Sequence, residues 1–70
     1  MPAIRIYVMY PAAQSRTWHV SVDGKEGQSF TDGLLALHAA CDRARVLEEM
    51  GEEVVVMQED AAGAWHIARE

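Results

Sequence analysis

One long amphipathic segment, residues 31–51, constrains the fold of this chain more than any other part of its sequence. Thr31 can accept hydrogen bonds from the free N–H groups of a first helical turn, and Asp32 places negative charge at the positive end of the helix dipole. Gly51 stands where a left-handed residue would end a helix, and the valine run at residues 54–56 favours an extended chain. The segment therefore predicts a helix over residues 32–50.

The predicted helix has one face made of small apolar side chains. With successive residues turned by about 100°, Ala36, Ala40 and Ala44 form the centre of this face, and Leu37 and Leu47 lie beside them. Small side chains allow the helix axis to lie close to its packing partner. A β-sheet is the predicted partner.

Alternating apolar and polar residues predict strands on both sides of the helix. Glycine-containing turns at residues 23–27 and 60–63 separate the strands of each half. The predicted strands cover residues 3–9, 17–22, 28–30, 53–59 and 64–69. The order is βββαββ, which predicts a single α+β domain, residues 1–70, with one antiparallel sheet covered on one face by one helix.

Two tryptophans occupy comparable places in the two halves, each followed by a histidine. Trp18 shares its strand parity with Val20, and Trp65 shares its parity with Ile67. Because alternate residues of a strand point to the same face, both tryptophans are predicted to lie under the helix. His19 and its counterpart in the second half are then predicted to point away from the helix.

Several apolar and turn positions recur together in one known family. They are Trp18-x-Val20, Phe30 just before an alanine-rich helix, Val54-Val55-Val56, and a turn closing on Gly63-x-Trp65. The pattern, which covers most of the chain after Thr17, resembles the small bacterial domain family of unknown function numbered twenty-one eighty-eight. That family has no assigned activity, so the resemblance implies a fold and no site. The strand before Trp18 departs from the family pattern.

The strand-strand-strand-helix order also resembles two other kinds of domain. One is the AP2-type DNA-binding domain, whose reading strands carry many Arg and Trp residues on the open face. Here the corresponding face offers Arg5 and little else that is basic. The other is the HicB-type antitoxin domain, which implies a basic protein as partner.

Length, charge and cysteine content narrow the possible functions. The core of a 70-residue chain leaves only about 3–5 kcal/mol of stability. The single cysteine, Cys41, cannot form an internal disulfide that would add to this stability. Dimerisation is the remaining means of support. No run approaches the ~20 apolar residues of a membrane span, which predicts a soluble, cytoplasmic protein that does not bind membranes. The net charge of −5 argues against nucleic acid as a partner.

No arrangement typical of an enzyme is present, and the prediction is a protein without catalytic residues, cofactor or metal. His19 and His66 could supply half of a metal site if their strands were adjacent. Cys41 has His38 one turn before it, but a nucleophile also needs an oxyanion site. Cys41 is therefore interpreted as a small, half-buried apolar residue.

Excess apolar surface is the feature that bears most directly on function. The sheet face away from the helix and a second side of the helix both carry apolar residues, and the candidate interaction surface is Tyr7, Met9, Val55, Met57, Val46 and Met50. The main hypothesis is a non-catalytic interaction module that forms a homodimer. In a single-chain alternative, Val46 and Met50 simply wrap around the sheet edge.

Two further hypotheses use the charged residues. A nucleic-acid binder would use the open sheet face, with Arg5, Tyr7, His19, Lys25 and His66 as candidate contacts. An antitoxin-like protein would bind a basic partner through its acidic surface, where Glu48, Glu49, Glu52 and Glu53 cluster at the end of the helix.

Overall fold

The computed structural model, which describes residues 3–25 and 27–70, contains a five-stranded sheet with one helix packed on one of its faces. The elements are β1 (Ile4–Met9), β2 (Trp18–Val22), β3 (Gln28–Phe30), α1 (Gly33–Glu49), β4 (Val54–Glu59) and β5 (Trp65–Arg69). The predicted α+β class and the order βββαββ are confirmed. Each element ends within one residue of its predicted limits.

The sheet is mixed, and the prediction of a purely antiparallel sheet was wrong. Its strand order is β3-β2-β1-β4-β5; β1 and β4 run parallel, and the other neighbouring pairs are antiparallel. The reason is the length of α1, because 17 residues at about 1.5 Å each carry the chain roughly 25 Å, back along the sheet. β4 therefore starts at the same end as β3 and β1.

The core lies between α1 and the three middle strands. The predicted alanine stripe is confirmed, because Ala36, Ala40 and Ala44 are all fully buried. The other buried apolar side chains come from the sheet and are Ile6, Val8, Val20, Val54 and Val56. No helix in residues 3–25 and 27–70 is long and apolar enough to cross a membrane.

The two ends of α1 are fixed by different devices. The N-cap is Asp32, whose Oδ1 accepts hydrogen bonds from the N–H groups of Leu34 at 2.7 Å and Leu35 at 3.3 Å. The assignment of the cap to Thr31 was wrong, because the aspartate one residue later lies in register with these donors. At the other end Gly51 has φ of 91°, as predicted for a left-handed helix terminus.

An ion pair ties the edge strand β5 to the end of α1. A β-bulge interrupts the β4–β5 pairing between Val56 and Met57, and beyond it Arg69 pairs with Val56 on the helix side. The Arg69 Nη2 donates to Glu48 Oε1 at 2.7 Å, and this hydrogen bond lowers the pKa of Glu48. One of the four clustered glutamates therefore has an internal partner.

Candidate interaction surface

The sheet face opposite α1 has no helix or strand of the described ranges packed on it. Because Ile6 and Val8 are buried beneath α1, the residues that alternate with them in β1 point to this outer face. Tyr7 pairs with Met57, and Met57 pairs with Ile67, so one row of side chains crosses three strands. We call the apolar residues of this face the outer patch: Tyr7, Met9, Val55, Met57, Trp65 and Ile67.

The outer patch is well exposed at its β5 side. Trp65 is 41% exposed and Ile67 is 57% exposed. The Trp65 ring meets Tyr7 edge to face, with ring centroids 5.4 Å apart and planes at 78°. This geometry is a favourable aromatic pairing, and it holds a large apolar ring against the sheet with part of its surface in solvent.

Trp65 does not lie under the helix, and that prediction was wrong. It pairs with Glu59, which shares its face of β4 with Met57. The turn sets this register: the Asp60 N–H donates to the Ala64 carbonyl at 2.9 Å, which fixes where β5 begins. Trp65 and Ile67 are therefore residues of the candidate surface that the sequence pattern had assigned to the core.

Charged residues mark the two ends of the outer patch. Arg5 is exposed at the end where β1 starts. At the opposite end Glu59 accepts a hydrogen bond from the Tyr10 N–H at 2.9 Å. Glu59, Met9 and His19 line a hollow of about 520 Å³ together with the loops that precede β2 and β5. The Arg5 end also carries carboxylates, since Val55 lines a hollow with Glu52, Glu53 and Glu70 and the Arg5 N–H donates to Asp23 Oδ1 at 2.9 Å.

The β4–β5 turn that presents Trp65 is organised by one carboxylate. Asp60 Oδ1 accepts from the N–H groups of Ala62 and Ala64, each at 2.9 Å, and Oδ2 lies 2.7 Å from Nε2 of His66. The hydrogen bond with His66 is the largest cause of the lowered pKa of Asp60, followed by the N–H group of Ala64. The ionised carboxylate is therefore favoured by the fold.

We expect the stability of the protein to fall as acid protonates Asp60. A carboxyl group whose pKa is lower in the folded chain contributes stability above its unfolded pKa, and loses it as the pH falls through the folded value. Urea unfolding followed at pH values from 7 down to 3 should therefore show a falling midpoint. The variant Asp60→Asn should start with a lower midpoint at pH 7 and show a weaker dependence on pH, and an identical dependence in both proteins would contradict this assignment.

The second side of the helix is a separate surface. Val46 is 49% exposed and Met50 is 72% exposed, so neither side chain wraps around the sheet edge as the single-chain alternative supposed. Both lie in the helix layer, whereas the outer patch lies on the opposite side of the sheet. The six predicted interaction residues are therefore divided between two surfaces, with Tyr7, Met9, Val55 and Met57 on the outer face.

The basic residues proposed as nucleic-acid contacts are dispersed. Arg5 and His19 lie on the outer face, Lys25 lies in the β2–β3 turn, and His66 pairs with Gln58 on the helix side. His19 and His66 therefore point to opposite faces, and β1 and β4 separate their strands. They do not form half of a metal site.

Within residues 3–25 and 27–70, no group of three or more His, Cys, Asp or Glu residues could hold a metal ion. Cys41 is half-buried, in keeping with its interpretation as a small apolar residue, and no hydrogen bond between Cys41 and His38 is found in the same ranges. The outer patch therefore remains the candidate functional site.

These observations define a class of protein: a two-layer α+β domain with one open, largely apolar sheet face. Comparisons of the chain with protein-family models, with curated proteins and with solved structures found no match. The resemblance to the family numbered twenty-one eighty-eight therefore stays a prediction.

Proposed function

We propose that this protein is a small non-catalytic interaction module that binds through its outer patch, and that it forms a homodimer. The observation that carries the proposal is the exposure of Trp65 and Ile67 on a sheet face that no helix or strand of the described ranges covers. Aromatic residues and methionine are enriched in protein interfaces, and exposed contiguous apolar patches mark contact surfaces. The outer patch contains two aromatic residues and two methionines.

The small size of the core also favours the binding of a partner to this face. A core of eight buried apolar residues, three of which are alanines, is small. Covering the outer patch would remove further apolar surface from water at about 25 cal/mol per Å². Because a partner that binds only the folded chain stabilises it, association would support a domain whose own stability is small.

The test is the substitution Ile67→Lys. Wild-type protein is expected to sediment as a monomer–dimer mixture at micromolar concentration, and Ile67→Lys is expected to weaken the dimer at least tenfold, because it places a charge in the apolar contact. Val46→Lys is the matched control, since Val46 is about as exposed but lies in the helix layer. This control should dimerise like the wild type.

Two results would contradict the proposal of a homodimer formed through the outer patch. A wild-type protein that stays monomeric at several hundred micromolar would remove it altogether. Weakening by Val46→Lys and not by Ile67→Lys would move the interface to the second side of the helix.

Nucleic acid is a second candidate because Tyr7 and Trp65 stand on the same open sheet face as Arg5, as stacking residues do in single-strand binders. The dispersal of Lys25 and His66 and the net charge of −5 weigh against it. Binding of mixed DNA or RNA at low salt that weakens steeply as salt is added would support it. An antitoxin-like role would instead require a basic protein partner, and co-purification with such a partner would support that hypothesis.

A further inference from the structure

We infer that a second site, separate from the outer patch, binds the quaternary ammonium group of a small organic cation. The site is a hollow of about 380 Å³ at the end of the sheet where β1 and β4 finish and β2 and β5 begin. Its lining includes Tyr10, Trp18, Gln58, Glu59, Asp60 and His66. This inference goes beyond the proposed homodimer and does not depend on it.

Strand register places most of the hollow on the helix side of the sheet. Gln58 pairs with Val8, which is fully buried beneath α1, and His66 pairs with Gln58. Trp18 lies against the start of α1, because a Cβ atom added to Gly33 would come within 2.7 Å of its ring. The hollow and the central row of the outer patch are therefore on opposite sides of the sheet.

Two aromatic rings form apolar walls of the hollow. Tyr10 and Trp18 meet edge to face, with centroids 4.9 Å apart and planes at 68°. Rings at such a steep angle can contact a rounded group from two directions. The face of an aromatic ring is electrostatically negative and attracts a cation that lies within about 6 Å of its centroid. Because Tyr10 is 40% exposed, its ring is accessible from solvent.

Carboxylates give the hollow a negative charge. Glu59 and Asp60 both line it, and the hydrogen bond from His66 is the largest cause of the lowered pKa of Asp60. In the described ranges no lysine or arginine lines this hollow, although Arg16 lines a neighbouring one that shares its two rings. The positive N-terminus of α1 is capped by the carboxylate of Asp32. The balance of charge therefore favours a cation.

The existing hydrogen bonds of these carboxylates select a cation without N–H groups. Asp60 Oδ1 accepts from two backbone N–H groups, its Oδ2 lies 2.7 Å from His66 Nε2, and Glu59 Oε1 accepts from the Tyr10 N–H. A primary ammonium has three donors to satisfy, and a hard metal ion needs several oxygen ligands. A quaternary ammonium needs neither, and its methyl groups can pack on aromatic rings while its charge remains near the carboxylates.

The experiment is a titration of isotope-labelled protein with choline, followed by nuclear magnetic resonance and matched against sodium chloride. The chain has two tryptophans, and Trp65→Phe identifies the indole N–H signal of Trp18 by elimination. We expect the Trp18 signal to shift saturably and the Trp65 signal to stay in place. Because the Asp60 side chain is partly exposed and the ligand is small, the expected dissociation constant is on the order of 1 mM.

A neutral ligand separates charge recognition from apolar packing. The carbon analogue of choline, in which a carbon atom replaces the nitrogen, has the same shape and no charge. It should bind at least about fivefold more weakly than choline, because it lacks the attraction to the ring faces and the carboxylates. This comparison uses the wild-type protein and needs no substitution.

Two pairs of variants test the named residues. Tyr10→Leu should weaken choline binding about fivefold, whereas Tyr10→Phe keeps the ring and should stay within about twofold of the wild type. Glu59→Gln keeps an oxygen for the Tyr10 N–H and should weaken binding about threefold through the lost charge. Glu52→Gln removes the same charge from a hollow at the other end of β4 and should have little effect. Circular dichroism checks that each variant is folded.

Three results would overturn the inference. One is a Trp18 signal that does not move in tens of millimolar choline, and another is equal binding of the neutral analogue. The third is a trimethyllysine peptide that binds more than about tenfold tighter than choline, which would assign the site to a protein tail. Should Tyr10→Leu fail to fold, the comparison of the two ligands with the wild type decides. None of these results bears on the homodimer, which Ile67→Lys tests on the opposite face.

Discussion

Trp18→Ala is expected to be largely unfolded at 25 °C. Trp18 is half-buried against the core, and its ring meets Tyr10 edge to face with centroids 4.9 Å apart. It also lies on the first residue of α1, because a Cβ atom added to Gly33 would come within 2.7 Å of the Trp18 ring. Truncating a tryptophan packed in this way costs about 3–5 kcal/mol, which is comparable to the whole stability of a domain this small. Far-ultraviolet circular dichroism and urea unfolding measure the loss.

Trp65→Ala is the matched comparison for Trp18→Ala. Because Trp65 is on the outer face, the variant should keep the circular dichroism spectrum of the wild type and lose self-association. A folded Trp18→Ala protein, or an unfolded Trp65→Ala protein studied at concentrations where the wild type is monomeric, would contradict the assignment of the two tryptophans to opposite faces.

Ala40→Leu is expected to lower the free energy of unfolding by about 3 kcal/mol, near the upper end of the usual cost of overpacking. Ala40 is fully buried at the centre of the stripe that α1 packs against the sheet. Leucine has a slightly different helix propensity from alanine, but that difference is small, so the loss would come from the extra volume. The helix must move away from β1 and β4, or the side chain must adopt a strained rotamer.

Ala39→Leu is the control, since Ala39 lies on the same helix one residue away and lines an open hollow beside β2 and β3. Its free energy of unfolding, measured by urea unfolding, should remain within about 0.5 kcal/mol of the wild-type value. Equal losses from the two substitutions would show that helix propensity, and not close packing at Ala40, causes the effect.

The limits of all six elements follow from local sequence, because capping residues, turn glycines and apolar alternation act over a few residues. Gly51 at the end of the helix and the buried alanine stripe illustrate this, since both could be predicted from residues a few positions away in the sequence. The parallel pairing of β1 and β4 does not follow from local pattern. It depends on where a 17-residue helix delivers the chain, and alternation in β4 is the same for either direction.

The candidate site was predictable only where strand parity was unambiguous. Tyr7 and Met9 alternate with the fully buried Ile6 and Val8, so their face could be inferred. β5 lies at the edge of the sheet and is mostly exposed on both faces, and its parity therefore depends on the turn and on one bulge. The register that the Asp60 turn sets is what places Trp65 on the outer face.

The central position of β1 has a consequence for how the chain is made. β1 is made before the other strands, yet one of its two neighbours is β4, so Ile4 cannot pair with Val54 until that residue is synthesised. Until then the edge of β1 that later pairs with β4 has no strand partner. At about 5–20 residues per second this lasts for several seconds, a period in which nascent chains on neighbouring ribosomes could pair through that edge. We therefore expect the rate of translation past β2 to affect how much of the protein reaches its native form.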